Sequence, residues 1–132
     1  MVTVVTQVLT NDMIDAGRAA VERLDAAHFP FSAALWLLDP EARTLRFVVA
    51  SPSRESIGPK VMYQLIRKVL TRNGKTESPV PLQDVSIVSS TDNVIRLLRM
   101  LVKTSGPNAG IRLTGNTING HYIEDAYVYR MT

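Results

Sequence analysis

Arg112, Thr114, Asn116, His121, Tyr122, Glu124, Asp125, Tyr127, Tyr129 and Arg130 crowd the carboxy-terminal end of this sequence. A histidine close to two carboxylates is the raw material of general acid–base catalysis or of a metal site. Strand alternation works against both uses. His121 and Asp125 share a face but stand about 13 Å apart at roughly 3.4 Å per residue, and Glu124 points the other way. Counting outward from Asn119-Gly120 as a two-residue loop sets Thr114 opposite Asp125 and Arg112 opposite Tyr127. Arg112 is then a diagonal neighbour of Asp125, within reach of a bidentate ion pair. That pair is either structural or part of a polar partner-binding surface made by Arg112, Asn116, His121, Tyr122, Asp125, Tyr127 and Tyr129, with the tyrosines as apolar contacts. Glu124 falls opposite Gly115, where the missing side chain marks a candidate bulge. A hydrolase or small-molecule-sensing site on Arg112, His121 and Asp125 therefore stays open as a third use of the hairpin.

Other chemistry finds less material. With no cysteine in the chain, disulfides, thiol nucleophiles and cysteine-ligated metals are excluded. His28 sits at an expected helix end, which favours a capping or surface role. The glycine-bearing turns Gly106–Gly110 and Gly115–Gly120 precede neither Lys-Ser nor Lys-Thr nor a helix, so they are not phosphate cradles. Ser51, Ser53 and Ser56 have no adjacent His/Asp constellation to activate them. No catalytic residue, metal site or cofactor is expected.

Charge distribution supplies a second candidate surface. From Arg54 to Lys75 six cations (Arg54, Lys60, Arg67, Lys68, Arg72 and Lys75) face one acid, Glu55, and Arg96, Arg99 and Lys103 follow on a later helix. If the two helices lie on one side of the sheet, Lys60, Arg67, Lys68, Arg72, Arg96, Arg99 and Lys103 merge into a nucleic-acid-binding patch. Ordinary solvated helix faces are the plainer reading, since no recognition-helix turn or RNA-binding aromatic signature accompanies the charges. The first helix carries the opposite bias, with acids at Asp12, Asp15, Glu22 and Asp25. Complementary acidic and basic patches can also drive self-association.

These residues must be held by a set of elements legible in the pattern. Val2 to Val8 alternates as a β-branched strand. Thr10 or Asn11 caps a helix whose buried stripe is Met13, Ile14, Gly17, Val21 and Leu24, ended by His28-Phe29-Pro30. Phe31–Leu38 is apolar on both faces, as an interior strand is, and turns through Asp39-Pro40-Glu41 into Leu45–Ala50. Pro59 opens a second helix with stripe Val61, Met62, Leu65, Ile66, Val69 and Leu70, stopped at Asn73-Gly74. After a loop over 74–83 come a strand Val85–Val88 and a third helix, capped by Thr91 or Asp92. That helix buries Val94, Ile95, Leu98, Leu101 and Val102 and stops before Gly106-Pro107. Ile111–Ile118 and His121–Tyr129 flank Asn119-Gly120, a type I′ hairpin signal. Trp36 reads as core, with an indole N–H that needs one acceptor.

The expected fold is α+β: a mostly antiparallel sheet of about five to six strands with three helices, in the order β-α-β-β-α-β-α-β-β. A βαββ plan occurs twice, and Thr10-Asn11-Asp12-Met13-Ile14 echoes Thr91-Asp92-Asn93-Val94-Ile95. Duplication and shared capping preference both explain the echo. The 132 residues, 45% of them hydrophobic, suit one domain over 1–132, and a net charge of +3 is mildly basic. No apolar run approaches the roughly 18 residues of a membrane span, and the amino terminus lacks the cations of a secretory signal. A cytoplasmic protein with no membrane partner is the expectation.

Ala34-Leu35-Trp36-Leu37 with Pro40-Glu41, Gly58-Pro59, Gly110-Ile111-Arg112, Gly115-Asn116, Ile118-Asn119-Gly120 and Ile123-Glu124-Asp125-Ala126-Tyr127 together resemble a group of small uncharacterised bacterial proteins. The resemblance spans most of the chain and implies a bacterial cytoplasmic origin; it brings no functional residue. Three functions stay in play: a small non-enzymatic module for protein partners or self-assembly as a homo-oligomer, a nucleic-acid-binding accessory protein, and the small hydrolase or sensor.

Overall fold

The computed structural model describes residues 5–102 and 110–132. Its elements are helix α1 (Asn11–Ala26), strands β1 (Ala33–Leu38) and β2 (Leu45–Ser51), helices α2 (Arg54–Ile57) and α3 (Pro59–Leu70), and strand β3 (Val85–Ser89). Helix α4 (Asn93–Leu101) and strands β4 (Ile111–Ile118) and β5 (His121–Met131) complete the set, and a single 3-10 turn covers Leu82–Asp84. The α+β expectation holds. The five strands form one mixed sheet in the order β3-β2-β1-β5-β4. The pairs β1·β2, β1·β5 and β4·β5 are antiparallel, and β2·β3 is parallel. A parallel pair needs a crossover, which α2, α3 and the loop behind them provide.

Helices cover both faces of the sheet. Met62, Ile66 and Leu70 of α3 and Val21 and Leu24 of α1 pack with Trp36, Phe47, Val49 and Tyr129. Ile95 and Leu98 of α4 pack with Leu35, Val48, Ala126 and Val128 on the other side. The alternating residues of β1 are divided between the two clusters, so β1 is the doubly covered interior strand its apolar sequence requires.

The capping expectations hold. The Thr10 hydroxyl accepts from Met13 N at 3.2 Å, and Asp92 accepts from Val94 N and Ile95 N at 3.1 and 3.4 Å. Each cap satisfies amides that have no partner within their helix, worth about 1 kcal/mol. Pro59 occupies the start of α3, and the chain leaves that helix with Arg72, Asn73 and Gly74 all at positive φ.

Two expected stripes are narrower than their sequence suggests. Val61 and Leu65 on α3, and Leu101 on α4, are solvent-exposed. The leading strand is also not seen among residues 5–10. Val2 and Val4 lie outside the described residues; 5–10 carry no strand, and Val5 and Val8 are exposed. In this segment Gln7 N donates to Arg43 O at 3.0 Å and the Gln7 side chain accepts from Leu45 N at 2.7 Å. β-Branched residues favour extended backbone, but a strand needs a neighbour along its length. The first of the two βαββ halves therefore lacks its leading strand among residues 5–10.

One close approach fixes α1 on the sheet. Trp36 Nε1 donates to Met13 O at 2.9 Å and Tyr129 Oη donates to Ile14 O at 2.6 Å. Both donors reach backbone carbonyls of α1 because Gly17, one turn on, has no side chain between them and the helix. The indole thus finds the acceptor that its burial demands.

Candidate functional site

The carboxy-terminal hairpin forms as its sequence predicts. Asn119 and Gly120 have φ of 48° and 80°, and Ile118 pairs with His121. Thr114 faces Asp125 and Arg112 faces Tyr127. From its diagonal position Arg112 binds Asp125 through both ends of its fork, Nε–Oδ1 at 2.7 Å and Nη2–Oδ2 at 2.9 Å. Gly115, at φ +63°, interrupts the ladder opposite Glu124. No residue is inserted there, because Thr114↔Asp125 and Asn116↔Ile123 keep one register. The register shift that does occur in β5 faces Ala34 and Leu35 of β1.

The structure sorts the predicted partner-binding residues into three groups. His121 and Tyr122 are exposed near the hairpin tip, Asn116 is half-buried, and Tyr122 Oη lies 3.6 Å from where a Gly115 Cβ would stand. Arg112 and Asp125 bind each other, and among the described residues neither is hydrogen-bonded to His121. Tyr129 is not a surface contact. Tyr127 is half-buried and accepts from Arg18 Nη2 at 3.2 Å; Tyr129 is fully buried, 5.0 Å from the Tyr127 ring and 6.1 Å from Phe47. Burial pushes the Tyr129 phenol far above its usual range.

Arg43, which sequence spacing did not single out, braces this end of the sheet. Arg43, in the β1–β2 turn, grips both oxygens of Glu124 at 2.9 and 2.6 Å and also donates to Thr6 Oγ1 at 3.1 Å. The guanidinium holds the Glu124 carboxyl below the usual carboxylate range. The same turn is pinned by Asp39, whose Oδ1 accepts from Glu41 N and Ala42 N at 2.8 Å each. Arg43 and Glu124 lie 81 residues apart, so no local pattern could have joined them.

The basic patch divides. Lys60, Arg67, Lys68 and Arg72 are exposed on α3 or just beyond it, on the side of the sheet that also carries α1. Arg96 and Arg99 belong to α4 on the opposite side, and Lys103 lies outside the described residues. The merged surface thus fails its condition, because the parallel β2–β3 crossover and the β3–β4 connection put their helices on different faces. Arg99 is already engaged, donating to Thr132 O at 3.0 Å and Ser90 O at 3.2 Å.

The described surface includes two concavities. One of about 600 Å³ runs between the carboxy-terminal halves of α1 and α3. The other, of about 270 Å³, is lined by Arg54, Glu55, Val88, Ser89, Thr91 and Asp92. The Arg54 Nε beside it is buried without a hydrogen-bond partner. Among the described residues no group of three or more His, Asp or Glu is placed to hold a metal ion, and no helix is long and apolar enough to cross a membrane.

What the hairpin does offer is an edge. β4 stands at one end of the sheet with β5 as its strand neighbour, and Thr114 and Thr117 on it are exposed. Exposed Tyr122 and Met100 flank it, the latter with its sulfur 3.9 Å from Asn119 Nδ2. An unpaired strand edge beside apolar side chains can accept another strand by main-chain hydrogen bonding. No protein-family model, curated protein or solved structure matches this chain.

Proposed function

We propose that this chain is a small non-enzymatic protein-interaction module, bacterial and cytoplasmic in setting, that docks an extended segment of a partner protein on the free edge of β4. The observation carrying this reading is the β4 edge, eight residues long and paired among the described residues to β5 alone, with exposed Met100 and Tyr122 beside it. Edge pairing would satisfy the outward amides and carbonyls of β4 and cover those apolar side chains in one event. Hydrolysis fits less well, because Asp125 is held by Arg112 and not by His121. Nucleic acid also fits less well, because the cations are split between two faces of the sheet.

A random-peptide display library selected on the immobilised protein tests this reading. Selected peptides should alternate apolar and polar residues, as a half-covered strand does. Their affinity should fall at least about tenfold in a Thr114→Lys/Thr117→Lys chain, because edge lysines oppose strand addition. Selected peptides that bind this variant as tightly as the parent would overturn the edge assignment.

A further inference from the structure

β2 and β3 run parallel, with Ser51 and Ser89 facing each other at their carboxy-terminal ends. From those ends the chain parts. After β2 it passes through α2 and α3, and α3 packs on the face that holds Trp36; after β3 it enters α4, which packs on the face that holds Leu35. Where neighbouring parallel strands send the chain to opposite faces, a crevice opens beyond the strand ends, and in open sheets it is the usual place for a small ligand. The concavity of about 270 Å³ lies at this point, lined by Arg54 and Glu55 of α2 and by Val88, Ser89, Thr91 and Asp92 where β3 passes into α4. Pockets for drug-sized molecules run to roughly 300–1,000 Å³, so this one suits a smaller metabolite.

The charged residues of the lining are one cation, Arg54, and two acids, Glu55 and Asp92. No ion pair joins Arg54 to either acid, and its buried Nε has no acceptor. A guanidinium N–H withdrawn from water is answered best by an anionic oxygen. Asp92 Oδ2 accepts from Val94 N and Ile95 N as the cap of α4, while among the described residues its Oδ1 and the exposed Glu55 carboxylate have no donor. The Ser89 and Thr91 hydroxyls are bonded to each other at 3.0 Å. Arg99 reaches the same loop from outside the lining and is bonded to Ser90 O and Thr132 O.

We infer that this crevice binds a free α-amino acid, with the ligand carboxylate on Arg54 and its ammonium on Glu55 and Asp92. The charges select the class. Inorganic phosphate would meet one cation against two acids, and a metal cation would be repelled by Arg54. A zwitterion satisfies both signs at once. Arg54 and the acids share one small cavity yet form no direct ion pair, which leaves a place between them for a molecule carrying both charges. Half-buried Val88 supplies the apolar contact for the ligand side chain. The site lies toward the β3 edge, at the opposite side of the sheet from β4, and does not rest on the function proposed for β4.

Titration of the isotope-labelled full chain with each standard amino acid, up to about 10 mM, tests the inference through the amide resonances of Arg54, Ser89, Thr91 and Asp92. At least one amino acid should shift them saturably, with a Kd of about 1 mM or lower, and leave the β4 amides unmoved. Its carboxamide and its N-acetyl derivative each lack one of the two charges and should bind at least about tenfold more weakly. Arg54→Met should weaken the amino acid at least about tenfold and erase its advantage over the carboxamide. Glu55→Gln/Asp92→Asn should erase its advantage over the N-acetyl derivative; asparagine also caps helices, so α4 keeps its start. The two derivatives probe the parent chain itself and decide the matter even where a variant fails to fold. Amides that no amino acid shifts, derivatives that bind as tightly as the amino acid, or inorganic phosphate bound as tightly would each overturn the inference.

Discussion

Gly17→Ala puts the contact between α1 and the sheet under direct strain. On an exposed helix surface this substitution stabilises by about 1 kcal/mol. Here the new Cβ would stand 2.2 Å from Tyr129 Oη, 2.6 Å from Tyr129 Cζ and 2.8 Å from Trp36 Nε1. Ordinary carbon contacts are about 3.5–4.0 Å, so more than an ångström must be found. Tyr129 cannot withdraw, because it is fully buried with Phe47 and Tyr127 around its ring. The strain must instead lift α1 and stretch the bonds to Met13 O and Ile14 O. Overpacking costs about 1–3 kcal/mol, and each buried donor left without an acceptor costs about 1–3 kcal/mol. Set against the propensity gain, the expected net loss is about 2–4 kcal/mol, a fall in Tm of roughly 8–15 °C for a chain of this size. Urea and thermal unfolding of the parent, G17A, Y129F and the double variant measure it. Tyr129→Phe removes the nearest clashing atom, so the cycle should show coupling of at least about 1 kcal/mol. A G17A chain as stable as the parent, or a strictly additive double variant, would refute the reasoning.

Three further outcomes follow from the ion pairs and the buried phenol. Arg130 forks onto Asp25 with both bonds at 2.8 Å and stacks 4.4 Å from the Phe31 ring centre, so Arg130→Lys should cost about 1–2 kcal/mol in urea unfolding; no loss would show that the fork and stack contribute nothing. Glu124 is held below the usual carboxylate range by Arg43, and Asp39 by the amides of Ala42 and Glu41. Their folded pKa values lie below the unfolded ones, so the stability they contribute is complete above about pH 5 and is lost as pH falls through the folded values. Glu124→Gln/Asp39→Asn should be less stable than the parent at pH 7 and show a shallower acid fall; parallel curves would count against both assignments. Tyr129 has a raised pKa, so its contribution holds through neutral pH and is lost only as the pH rises through the folded value. Tyr129→Phe should therefore leave the phenolate absorbance rise of the folded chain unchanged up to about pH 11, and a smaller rise would place the phenol in solvent.

Much of the local structure was legible because its causes are local. Asn119-Gly120 demands positive φ at two successive residues, and that one turn fixed the β4·β5 register and hence the Arg112–Asp125 pair. The caps at Thr10 and Asp92 and the start at Pro59 follow from single side chains. What escaped depends on partners distant in sequence. Val5 and Val8 have the composition of a strand but no strand beside them. Tyr129 read as an apolar contact on an exposed sheet face, yet α1 covers that face and its Ile14 carbonyl, 115 residues away, accepts the hydroxyl. The two basic helices could merge into one patch only by sharing a face of the sheet, and tertiary packing puts α3 and α4 on opposite faces. Exposure of Val61 and Leu65 was hidden because a stripe pattern marks apolar positions without saying which of them find a neighbour.

Amide hydrogen exchange along β4, with and without a saturating selected peptide, tests the interaction module most directly. In the free chain the N–H groups of β4 that point away from β5 should exchange at nearly open-chain rates, while those bonded to β5 are protected. With peptide bound, the outward amides should slow at least about tenfold while the rest of the sheet is unchanged. Outward β4 amides that are already protected in the free chain, or that keep their rates with peptide bound, would contradict the account.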